Sequence, residues 1–245
     1  RRSDTVNIAL HRCPDAANLA QTLAADIAQR LRAAVTERGQ ALLAVSGGKS
    51  PVPLFQQLSQ HTVPWAQVTV LLVDERCVPP DHPDSNSALV RQHLLQGPAA
   101  AARWLPFFDT LPHFNTSTGL SQPDLLALTG AAQQRLQALP WPLDVVVLGL
   151  GEDGHTASLF PHAPGLAEAL HSPHPVAWTR PTTAAHARLT LTLPTLLAAR
   201  CRVLPLQGAA KQAVFERACA APTADLPISL LLHEATAPVH VWQAP

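Results

Sequence analysis

At residues 143–155 the chain reads LDVVVLGLGEDGH, an apolar run with three successive valines that ends in a turn of glycines, acids and a histidine. Such a run is typical of a strand buried on both faces of a parallel sheet. Ligands of parallel sheets bind in the crevice beyond the carboxyl ends of the strands. The stretch therefore predicts a ligand-binding edge that carries His155, with Asp153 and Gly151 beside it.

The rest of the chain alternates between predicted strands and predicted helices. Besides the central run, strands are predicted at residues 6–10, 41–45, 68–73, 104–108, 176–179, 188–193, 203–206 and 239–242. Helices are predicted at residues 15–38, 51–60 (with Ser50 as N-cap), 85–95, 123–139, 194–200 and 209–220, and a polar loop at residues 113–122. This alternation predicts an α/β fold with a mostly parallel sheet flanked by helices. The length, without a low-complexity linker, predicts a single domain over residues 1–245.

Composition narrows the class of protein. Hydrophobic residues make up 47% and charged residues 14%, as in globular proteins, and 17 basic residues balance 17 acidic ones. The zero net charge predicts no nucleic-acid partner. The four cysteines lie far apart without a CxxC pair, so neither a disulfide framework nor a zinc site is predicted. No apolar run is long enough to span a membrane and no signal-peptide core is visible, which predicts a cytoplasmic protein without a membrane partner.

A second glycine-rich turn, SGGKS at residues 46–50, joins a predicted strand to a predicted helix. Glycines expose backbone N–H groups, and a helix N-terminus carries a positive partial charge, so the turn suits a phosphate. A tight strand–helix turn without a ligand is the other interpretation. A nucleotide P-loop is excluded, because its first glycine would fall at Leu43. The predicted phosphate contacts are Ser46, Gly47, Gly48 and Lys49.

Charged residues follow a third predicted strand. Asp74, Glu75 and Arg76 put two acids and a guanidinium at the same edge, and arginine suits bidentate contact with phosphate or carboxylate. A surface ion cluster is the other interpretation. Arg188 at a strand start and Lys211 in the first turn of a helix add two cations at possible edge positions. Taken singly, each of these two is a kind of side chain that is usually solvated.

Residues 149–154 match the dinucleotide fingerprint GxGxxG, but the pattern around them does not fit a nucleotide site. Pro161 cuts the next helix short, and the next predicted strand ends at Arg180 instead of an acid, so an NAD site is not predicted. His155 fits a general base, which Asp153 or Glu152 could orient, and a structural histidine is the alternative. No metal site is predicted.

In their order along the chain, these motifs resemble the 6-phosphogluconolactonase family, the lactonases of the pentose phosphate pathway. The resemblance rests on SGGKSP (46–51), VDERCVP (73–79), SN (85–86) and GLGEDGHTASLFP (149–161), and more weakly on RLTLTLP (188–194) and LQGAAK (206–211). It implies a modified Rossmann-like fold without a bound nucleotide, a metal or an organic cofactor. It also implies hydrolysis of 6-phospho-D-glucono-1,5-lactone to 6-phosphogluconate.

The resemblance also implies roles for single residues. His155 would be the general base, with Asp153 beside it. The implied substrate contacts are Ser46, Gly47, Gly48, Lys49, Asp74, Arg76, Gly151, Arg188 and Lys211. Lys49 stands where the family has Thr or Ser, and Leu197 stands where it has Asn. The expected partner is a phosphorylated sugar lactone, and the expected assembly is a monomer or a weak homodimer.

Two other functions remain as alternatives. Glucosamine-6-phosphate deaminase is related in fold, but it needs a catalytic Glu where this chain has Phe160 and a Tyr where it has Arg76. A non-catalytic sugar-phosphate effector domain would accompany a DNA-binding segment and a basic patch. The first forty residues predict one strand and one long helix, which is not that pattern.

Overall fold

The computed structural model describes residues 6–111 and 119–245, so most of the predicted polar loop at 113–122 lies outside the described residues. The strands are β1 (Ile8–Arg12), β2 (Ala41–Val45), β3 (Val68–Leu72), β4 (Asp74–Arg76), β5 (Arg103–Trp104), β6 (Val145–Val147), β7 (Val176–Thr179), β8 (Arg188–Leu191), β9 (Cys201–Gln207) and β10 (Val239–Ala244). The helices are α1 (Ala16–Arg38), α2 (Val52–Leu58), α3 (Asn86–His93), α4 (Gln122–Gln137), α5 (Leu166–His171), α6 (Leu193–Ala198), α7 (Ala209–Ala220) and α8 (Pro227–Glu234).

The main sheet has seven strands in the order β1-β10-β9-β6-β2-β3-β5, and each neighbouring pair is parallel. From β2 the chain adds β3 and β5 on one side, and it then adds β6, β9 and β10 on the other side. The direction of winding therefore reverses between β2 and β6, which makes their carboxyl ends a topological switch point. The predicted α/β fold with a mostly parallel sheet is confirmed.

A second sheet of three antiparallel strands, in the order β4-β8-β7, was not predicted. The sequence suggested that residues 74–76 simply follow the strand at 68–73, but Val73 ends one sheet and begins the connection to the other. Its N–H donates to Val45 O of β2 at 3.0 Å, and its carbonyl accepts from Leu191 N of β8 at 2.7 Å. Residues 74–76 therefore belong to β4, beside β8.

Helix α1 forms as its sequence predicts. Asp15 caps it by accepting a hydrogen bond from Asn18 N at 2.7 Å, and Gly39 ends it in the left-handed region at φ 80°. Leucine and isoleucine recur at four-residue spacing and are buried against the sheet. Burial of each such side chain contributes about 1.5–3 kcal/mol, so this face fixes α1 on the core.

Three local expectations were wrong. Ser50 does not cap α2, because the helix begins one residue later, after Pro51, and has no side-chain cap. Helices α5 and α8 were missed, since both are short and the prolines beside α5 and at the start of α8 resemble loops. In the described ranges no helix is both long enough and apolar enough to cross a membrane.

Candidate active site

The carboxyl ends of β2, β4, β6 and β9 surround one cavity of about 290 Å³. Nine of the predicted site residues line it: Ser46, Gly47, Gly48, Asp74, Arg76, Gly151, His155, Arg188 and Lys211. Asp153 is not part of the lining but contacts His155. Lys49 is exposed and does not line the cavity. The switch point of the sheet therefore brings together most of the predicted site residues. In the sequence they lie up to 165 positions apart, from Ser46 to Lys211.

The turn after β2 is open toward this cavity. Ser46 is held to β6, because its N–H and its hydroxyl both donate to Val147 O, at 3.1 Å and 2.8 Å. The next three N–H groups, of Gly47, Gly48 and Lys49, donate to no acceptor within residues 6–111 and 119–245. Consecutive N–H groups without a protein acceptor form a concave site for an anion. The turn is therefore suited to a phosphate through its backbone.

Asn86, at the start of α3, forms the neighbouring wall of the cavity and was not among the predicted site residues. Its side-chain amide donates to Asp74 O at 3.0 Å. A Cβ atom on Gly47 would collide with the Asn86 carboxamide, so only glycine permits this close approach. The SN pair at 85–86 was visible in the sequence as a helix start, but nothing local indicated which element it would face.

Strand alternation separates the two acids of β4. Asp74 and Arg76 line the cavity, whereas Glu75 points away from it and is buried. The Glu75 carboxylate accepts hydrogen bonds from the backbone N–H groups of Arg76, Asn86 and Ser87, each at 2.8 Å. Burial raises its pKa above the usual value, against the effect of these donors. The expectation of two acids at the cavity edge is therefore corrected: Glu75 instead holds the start of α3 in place.

Two arginines form a positive wall. Arg76 and Arg188 are paired opposite each other in β4 and β8. The Arg188 guanidinium is buried, its Nη1 lies 4.0 Å from Asp74 Oδ2, and burial lowers its pKa. The Arg76 Nη1 donates to Asp84 O at 2.8 Å. One buried carboxylate beside two guanidinium groups leaves net positive charge, which suits an anionic ligand.

The side chains of His155 and Asp153 form a hydrogen-bonded pair. His155 Nδ1 lies 2.5 Å from Asp153 Oδ1, and the imidazole stacks on Phe160 with 4.1 Å between ring centroids. Although partial burial acts to raise the pKa of Asp153, the hydrogen bond from His155 lowers it to about 2. Asp153 is therefore ionised near neutral pH and accepts the proton on Nδ1. This leaves Nε2 as a proton acceptor, as a general base requires.

The turn that carries this pair is closed by its own hydrogen bonds. Gly151 N donates to His155 O, and Gly154 N donates to Gly151 O, both at 2.9 Å. A Cβ atom on Gly151 would collide with the imidazole of His155. The turn is also held from outside, since Lys211 Nζ donates to Leu150 O and Ile228 N donates to Gly154 O. The position of His155 is therefore set by backbone contacts on several sides.

The chain is similar to one family of known proteins over most of its length. Residues 14–242 match the model of the family described as glucosamine-6-phosphate isomerases/6-phosphogluconolactonase. The chain belongs to this family.

Individual members of the family are similar over almost the whole chain. The 6-phosphogluconolactonase of Pseudomonas aeruginosa is 46% identical over 210 residues, which cover 84% of this chain and 82% of that protein. The 6-phosphogluconolactonase of Mesorhizobium japonicum is 44% identical over 234 residues, covering 95% and 93%. The crystal structure of a 6-phosphogluconolactonase from Shewanella baltica superposes with a TM-score of 0.89 at 36% identity, covering 98% of this chain and 100% of that one.

The two departures from the family pattern lie outside the cavity. Lys49 is exposed, and Leu197 lies on α6 away from the cavity lining. The carbonyl of Leu197 accepts a hydrogen bond from the buried Arg202 at 2.7 Å. Neither substitution therefore changes a side chain that lines the cavity.

Proposed function

We propose that this protein hydrolyses 6-phospho-D-glucono-1,5-lactone to 6-phosphogluconate, the second step of the oxidative pentose phosphate pathway. One observation carries the proposal: His155, which is paired with Asp153, lines the same cavity as Gly47 and Gly48, whose N–H groups have no acceptor in the described residues, in a chain from this family. A base and an anion site in one cavity suit a substrate with an electrophilic carbonyl and a phosphate. The proposed substrate has both.

In the proposed mechanism, His155 Nε2 takes a proton from a water molecule as its oxygen bonds to the lactone carbonyl carbon. Asp153, bonded to Nδ1, stabilises the imidazolium that forms. The bond between the carbonyl carbon and the ring oxygen then breaks, and the imidazolium returns its proton to that oxygen. No covalent intermediate is needed, because the lactone is already reactive toward water.

Two groups of the substrate carry negative charge during the reaction, the phosphate and the carbonyl oxygen, and each requires hydrogen-bond donors. The N–H groups of residues 47–49, with Arg76, Arg188 and Lys211, would hold the phosphate. The N–H groups of Gly149 and Leu150, which also line the cavity, have no acceptor in the described part of the chain. We assign these two to the oxyanion that develops on the carbonyl oxygen.

The deaminase alternative is not supported by the residue at position 160. Phe160 packs against the imidazole and has no group that could carry a proton. Its ring also lies under the Arg188 guanidinium, whose central carbon is 5.2 Å from the ring centroid. This position therefore orients two site residues by packing. The effector-domain alternative has no specific observation in its favour.

The function is tested with freshly prepared phosphogluconolactone, whose decay is followed with and without purified protein. We expect acceleration well above the spontaneous rate, and a much smaller kcat/KM for the unphosphorylated lactone. Protein carrying His155→Gln, at equal concentration, is the control for a contaminating enzyme. Equal kcat/KM on both lactones would contradict the phosphate site, and ammonia release from glucosamine 6-phosphate would favour the deaminase.

Three broader expectations belong to the same proposal. We propose that the chain is one domain, since both sheets contribute to one hydrophobic core. We propose a monomer or a weak homodimer, and the balance of 17 basic and 17 acidic residues supports the absence of a nucleic-acid partner. We propose the cytoplasm as its location, because the proposed substrate is a soluble phosphosugar.

A further inference from the structure

The loop between β7 and β8, residues 180–187, supplies none of the predicted site residues, yet it contacts the site at three points. Thr183 Oγ1 donates to Asp153 Oδ2 at 3.2 Å. The Ala185 carbonyl accepts from Arg188 Nη2 at 3.0 Å. His186 Nε2 lies 2.8 Å from Asp84 Oδ2. This short loop therefore contacts both the His155–Asp153 pair and the positive wall formed by Arg76 and Arg188.

The two carboxylate oxygens of Asp153 accept hydrogen bonds from different residues. Oδ1 accepts from the N–H and from Nδ1 of His155, at 3.1 Å and 2.5 Å. Oδ2 accepts from Thr183, the one side chain of the described residues that bonds it. Because a carboxylate group can rotate about its Cβ–Cγ bond, a second donor on the opposite oxygen fixes its plane. The plane of the carboxylate in turn fixes the imidazole bonded to Oδ1.

The backbone that presents Thr183 is itself anchored. His186 has φ 70°, in the left-handed region that residues other than glycine rarely adopt. Such a conformation persists where surrounding contacts impose it, and residues held in this way are frequent at active sites. Here the hydrogen bond with Asp84 and an edge-on contact with His82, 5.6 Å between ring centroids, supply these contacts. At the other end of the loop, Arg180 Nη2 donates to Leu120 O at 2.8 Å.

We propose that Thr183 is a positioning residue that acts through Asp153 to hold His155 in its reactive orientation. The inference rests on the proposed function. Thr183 does not line the cavity, so its hydroxyl acts on the base and leaves substrate affinity unchanged. Since Thr183 is exposed and water competes for the same bond, the effect is moderate.

The experiment compares Thr183→Val, which keeps the shape and removes the donor, with Thr183→Ser, which restores it. Thr182→Val, at the adjacent threonine that is also exposed, is the matched control. We expect Thr183→Val to lower kcat about 3- to 10-fold with KM changed less than about twofold, as for loss of one hydrogen bond. Thr183→Ser should recover at least half of kcat, and Thr182→Val should match the unmodified protein. A Thr183→Val protein with full kcat, or no recovery in Thr183→Ser, overturns the proposal.

A readout independent of turnover separates this inference from the proposed function. The proton on His155 Nδ1, in its short hydrogen bond, gives a downfield resonance that is assigned by its loss in His155→Gln. It should move in Thr183→Val, return in Thr183→Ser and stay in place in Thr182→Val. If the unmodified protein does not hydrolyse the lactone but the resonance behaves in this way, the proposed function fails and the positioning role stands. A resonance that is the same in all three variants ends the positioning role, whatever the activity.

Discussion

The turn at residues 46–50 and the turn at residues 149–155 follow neighbouring strands, β2 and β6, and both are rich in glycine, but only the second is closed by hydrogen bonds between its own residues. Three consecutive N–H groups of the first turn have no acceptor in the described residues. The second turn also has N–H groups without an acceptor there, including those of Gly149 and Leu150, but it closes on itself through bonds among Gly151, Gly154 and His155. An open turn is suited to bind an anion, and a closed turn holds a side chain in place. Similar glycine-rich sequences therefore have different chemical uses.

The largest expected effect comes from removing the side chain that the closed turn holds. His155→Gln and His155→Ala should lower kcat/KM about 10²- to 10⁴-fold, because neither residue can accept the proton from water. Binding of 6-phosphogluconate, measured by calorimetry, should persist, since the open turn is untouched.

Exposed His171→Gln is the control for this change and should leave activity unaltered. The role of His155 is contradicted by a well-folded His155→Gln protein with full activity. If both His155 variants lose ligand binding and thermal stability together with rate, the histidine is structural instead.

Adding one methyl group to each turn tests the comparison directly. Gly151→Ala pushes a Cβ atom into the imidazole and should lower kcat about 10- to 100-fold, whereas Gly47→Ala pushes one into Asn86 and should mainly raise KM by a similar factor. Steady-state kinetics of both variants, with melting temperatures, measure this. Gly130→Ala in α4, where nothing lies within 4 Å, is the control and should stabilise the fold by about 0.5–1 kcal/mol. The same kinetic change in both turn variants would remove the distinction.

Lys211 contacts the closed turn and also lines the cavity beside the open turn. Its substitution therefore tests whether it acts with His155 or binds the phosphate. Its ammonium donates to Leu150 O. We expect Lys211→Ala to raise KM about tenfold, the effect of one charge-assisted hydrogen bond, with a smaller fall in kcat. A pure loss of kcat would place Lys211 with His155 instead of the phosphate. The comparison is made with the unphosphorylated lactone, whose KM should not change.

The smallest effect concerns the stability of the closed turn. The pKa of Asp153 is about 2 in the fold against 3.8 as a free side chain, so ionised Asp153 stabilises the fold above pH 4, and this contribution is lost as the pH falls toward 2. Because its side chain is 29% exposed, we expect about 1 kcal/mol. Urea unfolding of the unmodified protein and of Asp153→Asn should differ by this amount at pH 6 and by clearly less at pH 3. An equal difference at both pH values would show that the hydrogen bond, and not the charge, matters.

Much of the fold follows from local signals in the sequence. The buried valines of β6 and the helical pattern at residues 15–38 were both visible, because each depends on its own few neighbours. Sheet β4-β8-β7 was not predictable in this way. The pairing of β4 with β8 joins residues more than 100 positions apart, such as Asp74 and Thr190, and a strand of three residues such as β4 has no period of its own.

The candidate site shows the same limit. The residues on the glycine turns were predicted from sequence because the turns themselves mark the strand ends. Asn86 and Thr183 reach the site across the fold, from elements whose local sequence shows only a helix start and a threonine-alanine loop. Glu75 was assigned to the wrong side, because no signal showed that β4 would leave the main sheet and turn alternate residues inward.

The bond from Ser46 to Val147 has a consequence for substrate size. It ties the start of the open turn to the strand that carries the closed one, so the two turns are separated by a single step between strands, about 4.8 Å. Because both strands are buried in the middle of the sheet, this distance does not stretch. The relative position of the two turns is therefore set by the packed core of the sheet, and a ligand that contacts both turns has to match that spacing.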